Sequence, residues 1–124
     1  MDYVGTFETA IELQKNNILT AISKYYSDSE WAKAISSGVD MNYSFITFGL
    51  ENPNKILDKI HSIEDLTNQT FKMVMFDIAN GYIIKYHNMI NEIRKHRKDL
   101  ILAAGNIVTK EGVKAISEAG ADLV

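Results

Sequence analysis

The chain has no cysteine, which excludes a disulfide framework, a thiolate metal ligand and a thiol nucleophile drawn from these residues. It has a single proline and no low-complexity tract or charge block, so nothing marks a linker and one domain over residues 1–124 is expected. Positive charge is not in excess: 13 Lys and Arg against 16 Asp and Glu give a formal net charge of -3. A basic surface is what draws nucleic-acid phosphates or anionic lipid, so neither partner is suggested. No stretch approaches the roughly 18 apolar residues of a membrane span, and Met1 to Phe7 lacks the basic start and apolar run of a signal peptide. A cytoplasmic protein is the expectation. Gly-rich loops of the Rossmann or P-loop type are missing as well, which argues against a dinucleotide fold of that kind. His61, His87 and His96 lack the spacing of a helical metal pair and have no carboxylates at ligand spacing, so no metal site is expected.

What the chain does have is an average apolar content, 46% over 124 residues. That is enough for one hydrophobic core and too little chain for a complete (β/α)₈ barrel of about 250 residues. Short apolar runs alternate with longer segments of helical period, the pattern of βα units around a parallel sheet. Phe7, Ala10, Ile11 and Gln14 share a helix face, and Ile18 to Ile22 reads as a strand. Ser27-Asp28-Ser29-Glu30 fits a capping box and predicts a helix over roughly 27–37. Asn42 to Phe48 reads as a second strand, and Asn52-Pro53 opens a helix with Ile56, Leu57 and Ile60 inward. Phe71 to Ile78 is the strongest strand signal, an almost unbroken apolar run that includes Asp77, as expected where both sheet faces are covered. From Gly81 to His96 a helical stripe carries Tyr82, Tyr86, Met89, Ile90 and Ile93, and Arg94, Lys95, Arg97 and Lys98 read as its solvated basic end. Leu100 to Ala104 is a fourth strand, Thr109 caps a helix that closes at Gly120, and Ala121 to Val124 begins a fifth strand.

In parallel βα architectures ligands bind where strands end and helices begin, because loop amides and helix N-termini converge there. The polar residues at those junctions are Ser23 and Lys24, Thr47 and Gly49, Asp77 with Asn80-Gly81, and Gly105-Asn106. Lys24 directly follows an apolar strand, so its ammonium could meet a phosphate, a carboxamide or a carboxylate; the alternative is an ordinary surface lysine. Asp77 ends a buried run and needs a partner or a ligand, the alternative being a helix cap. Asn80-Gly81 and Gly105-Asn106 also suit plain turns.

These loops resemble a known family. Met1-Asp2-Tyr3-Val4-Gly5-Thr6-Phe7, Thr20-Ala21-Ile22-Ser23-Lys24-Tyr25-Tyr26-Ser27, Asp77-Ile78-Ala79-Asn80-Gly81-Tyr82 and Ala104-Gly105-Asn106-Ile107-Val108-Thr109 stand in the order of four GMP reductase motifs, and Gly120-Ala121-Asp122 matches the start of a further strand. The related IMP dehydrogenases share the Gly-Asn and Gly-Ala-Asp turns and come second, because Asp-x-Ala-Asn-Gly-Tyr looks more like GMP reductase. The resemblance implies a partial (β/α)₈ barrel, roughly half of one, with parallel strands. It also implies an NADPH-dependent conversion of GMP to IMP and ammonia in purine salvage. By position, Lys24 matches a lysine near the cofactor and the reacting centre, Asp77, Ile78 and Ala79 a strand end that contacts NADPH, and Asn106 a loop residue beside the active site.

Departures accompany the matches. Ser23 and Tyr25 replace two histidines of the pattern, and Ile46 to Leu50 stands where the family carries small hydroxyl residues near the cofactor. The family's cysteine nucleophile, its monovalent-cation loop and its GMP phosphate site are expected beyond Val124. An open half-barrel would leave two unpaired sheet edges, which invite a complementing C-terminal half or a second copy of the chain. A non-catalytic remnant or interaction module is the other reading that these departures leave open.

Overall fold

A computed structural model describes residues 3–124; Met1 and Asp2 of the first matched block lie outside them. Strands β1 (Thr20–Ile22), β2 (Ser44–Phe48), β3 (Met73–Asp77) and β4 (Ile101–Gly105) form one parallel sheet in the order β1-β2-β3-β4. Parallel neighbours need a crossover, and the crossovers are helical. Helix α2 (Asp28–Ser36) joins β1 to β2, α3 (Pro53–Thr67) joins β2 to β3, and α4 (Ile84–His96) joins β3 to β4. Helix α1 (Phe7–Gln14) precedes the sheet and α5 (Lys110–Ala119) follows it. Where a fifth strand was expected, Leu123 makes one parallel bridge to Ala103.

The register explains the two faces. Ile22, Ile46, Val74 and Leu102 lie side by side across all four strands, as do Phe48, Phe76 and Ala104 across three. This row is buried with the inner faces of the helices, including Trp31, Ile56, Ile60, Tyr86, Ile90, Ile93 and Ile116. Each such side chain contributes about 1.5–3 kcal/mol on burial, so this layer is what fixes the helices to the sheet. Trp31 stands edge-on to both Phe7 and Phe71, with ring centroids 5.1 and 5.2 Å apart. Because strand side chains alternate, the intervening residues Ala21, Phe45, Met73, Met75 and Ala103 form a second, smaller cluster on the opposite face.

Local signals in the sequence act as expected at several termini. Ser27 and Glu30 make the reciprocal capping box, Thr109 accepts from the Gly112 amide, and Gly120 ends α5 at φ +123°. Three expectations need correction. The first strand starts at Thr20, because only Thr20 to Ile22 find partners on β2 while Ile18 and Leu19 stay exposed. Helix α4 starts three residues after Gly81, so Tyr82 leaves the buried stripe and is half-exposed. Finally, Arg94 and Arg97 are not a solvated helix end. Arg94 donates to the carbonyls of Gly120 and Leu100 and pairs with Asp122, and Arg97 forks between Glu64 at 3.1 Å and Asp99 at 2.8 Å. The turn from α4 into β4 meets the end of α3 and the residues after α5 here, and the carbonyl and carboxylate oxygens of these segments take up the guanidinium donors. Those donors hold the Asp99 carboxyl below its ordinary range.

Candidate active site

All four strands run the same way, so their C-terminal ends share one edge of the sheet and the loops that follow them form one mouth. The last pair in the β3–β4 register is Asp77 opposite Gly105, on the face that the helices do not cover. There a cavity of about 360 Å³ is lined by Phe45, Met75, Asp77, Gly105, Asn106 and Leu123 among others. Apolar walls with one carboxylate and one carboxamide at the rim are the usual make-up of a small-molecule site. Thr47, paired with Met75 on this same face, is buried with a hydroxyl that has no hydrogen-bond partner among the described residues.

The structure brings Asp77 and Asn106 together at the cavity. Asp77 caps no helix, since α4 starts from Ile83 without a side-chain cap, and this removes the helix-cap reading. Ile78 is held by its backbone, with its amide donating to Gly105 O at 3.1 Å and its carbonyl accepting from Asn106 N at 2.8 Å. Ala79 follows on the exposed outer part of the loop. Lys24 lies outside the cavity lining, exposed, with Nζ 3.6 Å from where a Cβ on Gly49 would stand and 5.7 Å from the centre of the Tyr25 ring. Its ammonium therefore reaches across from the end of β1 to the end of β2, and a side chain at position 49 would meet it.

Sequence reasoning missed two tyrosines. Tyr86 on α4 is fully buried and was read as one more residue of an apolar stripe. Its hydroxyl lies 2.7 Å from Phe76 O and 3.0 Å from Gly105 O, and it accepts from Gly105 N at 3.2 Å. Burial pushes this phenol far above its ordinary range and the Asp77 charge adds to the shift, so the group is a neutral hydroxyl. Tyr82 bridges the same two loops from the outside, sharing a 3.0 Å hydrogen bond with the Thr109 hydroxyl and accepting from the Val108 amide. Those bonds hold its phenol below the usual tyrosine range. The one available signal was chemical: a buried tyrosine hydroxyl must find a partner.

Comparison with known proteins identifies the family and the fold. Residues 51–124 match the model of the IMP dehydrogenase / GMP reductase domain. The GMP reductase of Buchnera aphidicola subsp. Schizaphis graminum (strain Sg) is 38% identical over 124 residues, covering 100% of this chain and 35% of that protein. That of Shewanella halifaxensis (strain HAW-EB4) is 32% identical over 127 residues, again with 100% and 35% coverage. The chain thus spans about a third of the length of the curated relatives it matches. Among solved structures, the inosine 5' monophosphate dehydrogenase of Legionella pneumophila superposes with a TM-score of 0.81 at 16% identity, covering 98% of this chain and 36% of that one. That likeness shows the fold, a partial (β/α)₈ barrel. The matched domain covers more than half of these residues, and the chain belongs to the IMP dehydrogenase/GMP reductase family.

Proposed function

We propose that this chain carries the cofactor side of an NADPH-dependent GMP reductase, which converts GMP to IMP and ammonia. The observation that supports the reading is the convergence of Asp77 and Asn106 on one apolar cavity at the strand ends. The fit to a nicotinamide cofactor is chemical. The cavity of about 360 Å³ has Ala103, Ala104 and Gly105 in its wall, so a flat ring can approach the backbone closely. Asn106 offers both a donor and an acceptor to a carboxamide, and Lys24 offers a mobile cation to a phosphate. When bound, NADPH supplies the hydride. This chain's own residues would bind and orient: Asp77, Ile78 and Ala79 at one strand end and Asn106 at the next would hold the cofactor, and Lys24, outside the cavity lining, would reach it with its ammonium. With no cysteine among its 124 residues, the segment itself supplies no thiolate, and on this reading the part of the barrel that the relatives have in addition would carry the nucleophile.

Two measurements test this. NADPH fluorescence on the purified chain should show saturable binding that Lys24→Ala and Asp77→Asn each weaken. NADPH oxidation with GMP should be absent for the chain alone and present when a polypeptide carrying the rest of the barrel is supplied. Turnover of IMP with NAD instead of GMP with NADPH would transfer the reading to IMP dehydrogenase. Silence in every combination would favour a non-catalytic interaction module.

A further inference from the structure

We infer that Tyr86 is a positioning residue of this mouth, whose hydroxyl locks the loops after β3 and β4 into one rigid unit and so fixes Asp77 against Asn106. The inference rests on the cofactor reading only for what the unit holds; its mechanical part stands on the hydrogen bonds.

The other buried residues of α4 are Met89, Ile90 and Ile93, all apolar. A phenylalanine at position 86 would fill the same space, so the oxygen is what distinguishes the residue. That single oxygen meets the β3 backbone through Phe76 O and the β4 backbone through both the carbonyl and the amide of Gly105. Phe76 precedes Asp77 and Gly105 precedes Asn106, so the contact sits one residue before each of the two groups that line the cavity. Beyond it the loops are joined directly. Ile78 N donates to Gly105 O at 3.1 Å, Asn106 N to Ile78 O at 2.8 Å, and Gly81 N to Asn106 O at 3.0 Å. Gly105 O therefore serves both the Ile78 amide and the phenol, while Gly105 N keeps its place in the β3–β4 ladder, so removing the phenol deletes the O–H donor shared by the Phe76 and Gly105 carbonyls. Losing a buried hydrogen bond that spans both strand ends is costly, so the loop pair should open locally more often.

The test is Tyr86→Phe in the whole chain. Amide hydrogen exchange at Ile78, Gly81 and Asn106 should accelerate about tenfold or more relative to the Ile46 amide in β2, and NADPH should bind about tenfold more weakly, the scale of one lost hydrogen bond. A merely structural role would lower the thermal midpoint and speed exchange evenly, with the NADPH affinity unchanged. Either that pattern or unaltered exchange at the three amides overturns the inference. If the parent chain binds no NADPH the cofactor reading fails, and hydrogen exchange alone decides the positioning. Should Tyr86→Phe not fold, 3-fluorotyrosine at position 86, a more acidic donor, should slow exchange at the same three amides. Unchanged or faster exchange there overturns the inference equally.

Discussion

The two halves of the mouth are built differently. Across β3 and β4, three backbone hydrogen bonds and two tyrosine hydroxyls join the loops into a unit whose geometry exists before any ligand arrives. Across β1 and β2, the group proposed to act is an exposed lysine whose ammonium lies near Gly49 and over an exposed tyrosine ring. Fixed groups suit recognition of a rigid ring, since little order is lost on binding, whereas a mobile cation suits a phosphate that can be met from many directions. The proposed division of labour follows: the β3–β4 side orients, and the β1–β2 side attracts.

Paired glycine substitutions are expected to break this contrast most sharply. A Cβ on Gly81 would stand 2.6 Å from Ile107 Cδ1 and 2.8 Å from Asn106 O, so Gly81→Ala should push the two loops apart. A loss of about 2–3 kcal/mol in denaturant unfolding is expected, the range of overpacking a tight site. Gly49→Ala meets only the end of a flexible lysine and should stay within about 0.5 kcal/mol of the parent. Equal losses at both positions would remove the distinction between the halves.

Thr109→Val comes next. It deletes the side-chain cap of α5 and the partner of the Tyr82 hydroxyl, and should cost about 1 kcal/mol as lost helix caps do. The Tyr82 phenol should then titrate closer to its ordinary value of 10.0, measured by ultraviolet absorbance. Lys24→Ala should leave unfolding within about 0.5 kcal/mol of the parent, because an exposed side chain on this side supports no loop. A large loss would show that the β1–β2 side is as prebuilt as the other.

The smallest effect concerns pH at the start of α2. The amide and hydroxyl of Ser27 both donate to Glu30 and hold its carboxyl below 4.5. A carboxylate depressed in the folded state stabilises above its unfolded pKa, and that stabilisation is lost as pH falls through the folded value. The helix start should therefore loosen only below about pH 4.5. Carbon-13 titration of Glu30 should show its pKa rising in Ser27→Ala; no change would mean that another group sets it.

Much of the fold was legible because it is written in short-range patterns. The four apolar runs became four parallel strands, and the capping box at Ser27 and the cap at Thr109 formed as their spacing requires. The candidate site's placement was legible in part: Asp77 and Asn106 were selected as strand-end residues, and both line one cavity, whereas Lys24 does not. The errors fall where a distant partner overrides the local pattern. Tyr82 has helical spacing to Tyr86, yet the Asn80 side chain, Asn106 O and Thr109 hold the segment 80–82 outside the helix. Arg94 and Arg97 look like dipole complements, yet their guanidiniums answer carbonyls and carboxylates that only folding brings near.

By itself, then, the sequence determined the alternation of strands and helices, which face of each is buried and how several helices begin. Those depend on residues within a turn or two of one another. The tertiary structure alone decided that the Tyr86 hydroxyl bonds to Gly105, 19 residues away, and that Arg97 meets Glu64, 33 residues away. Hydrophobic burial is non-directional and leaves a periodic trace, whereas a hydrogen bond needs one partner at one distance, and only packing supplies that partner.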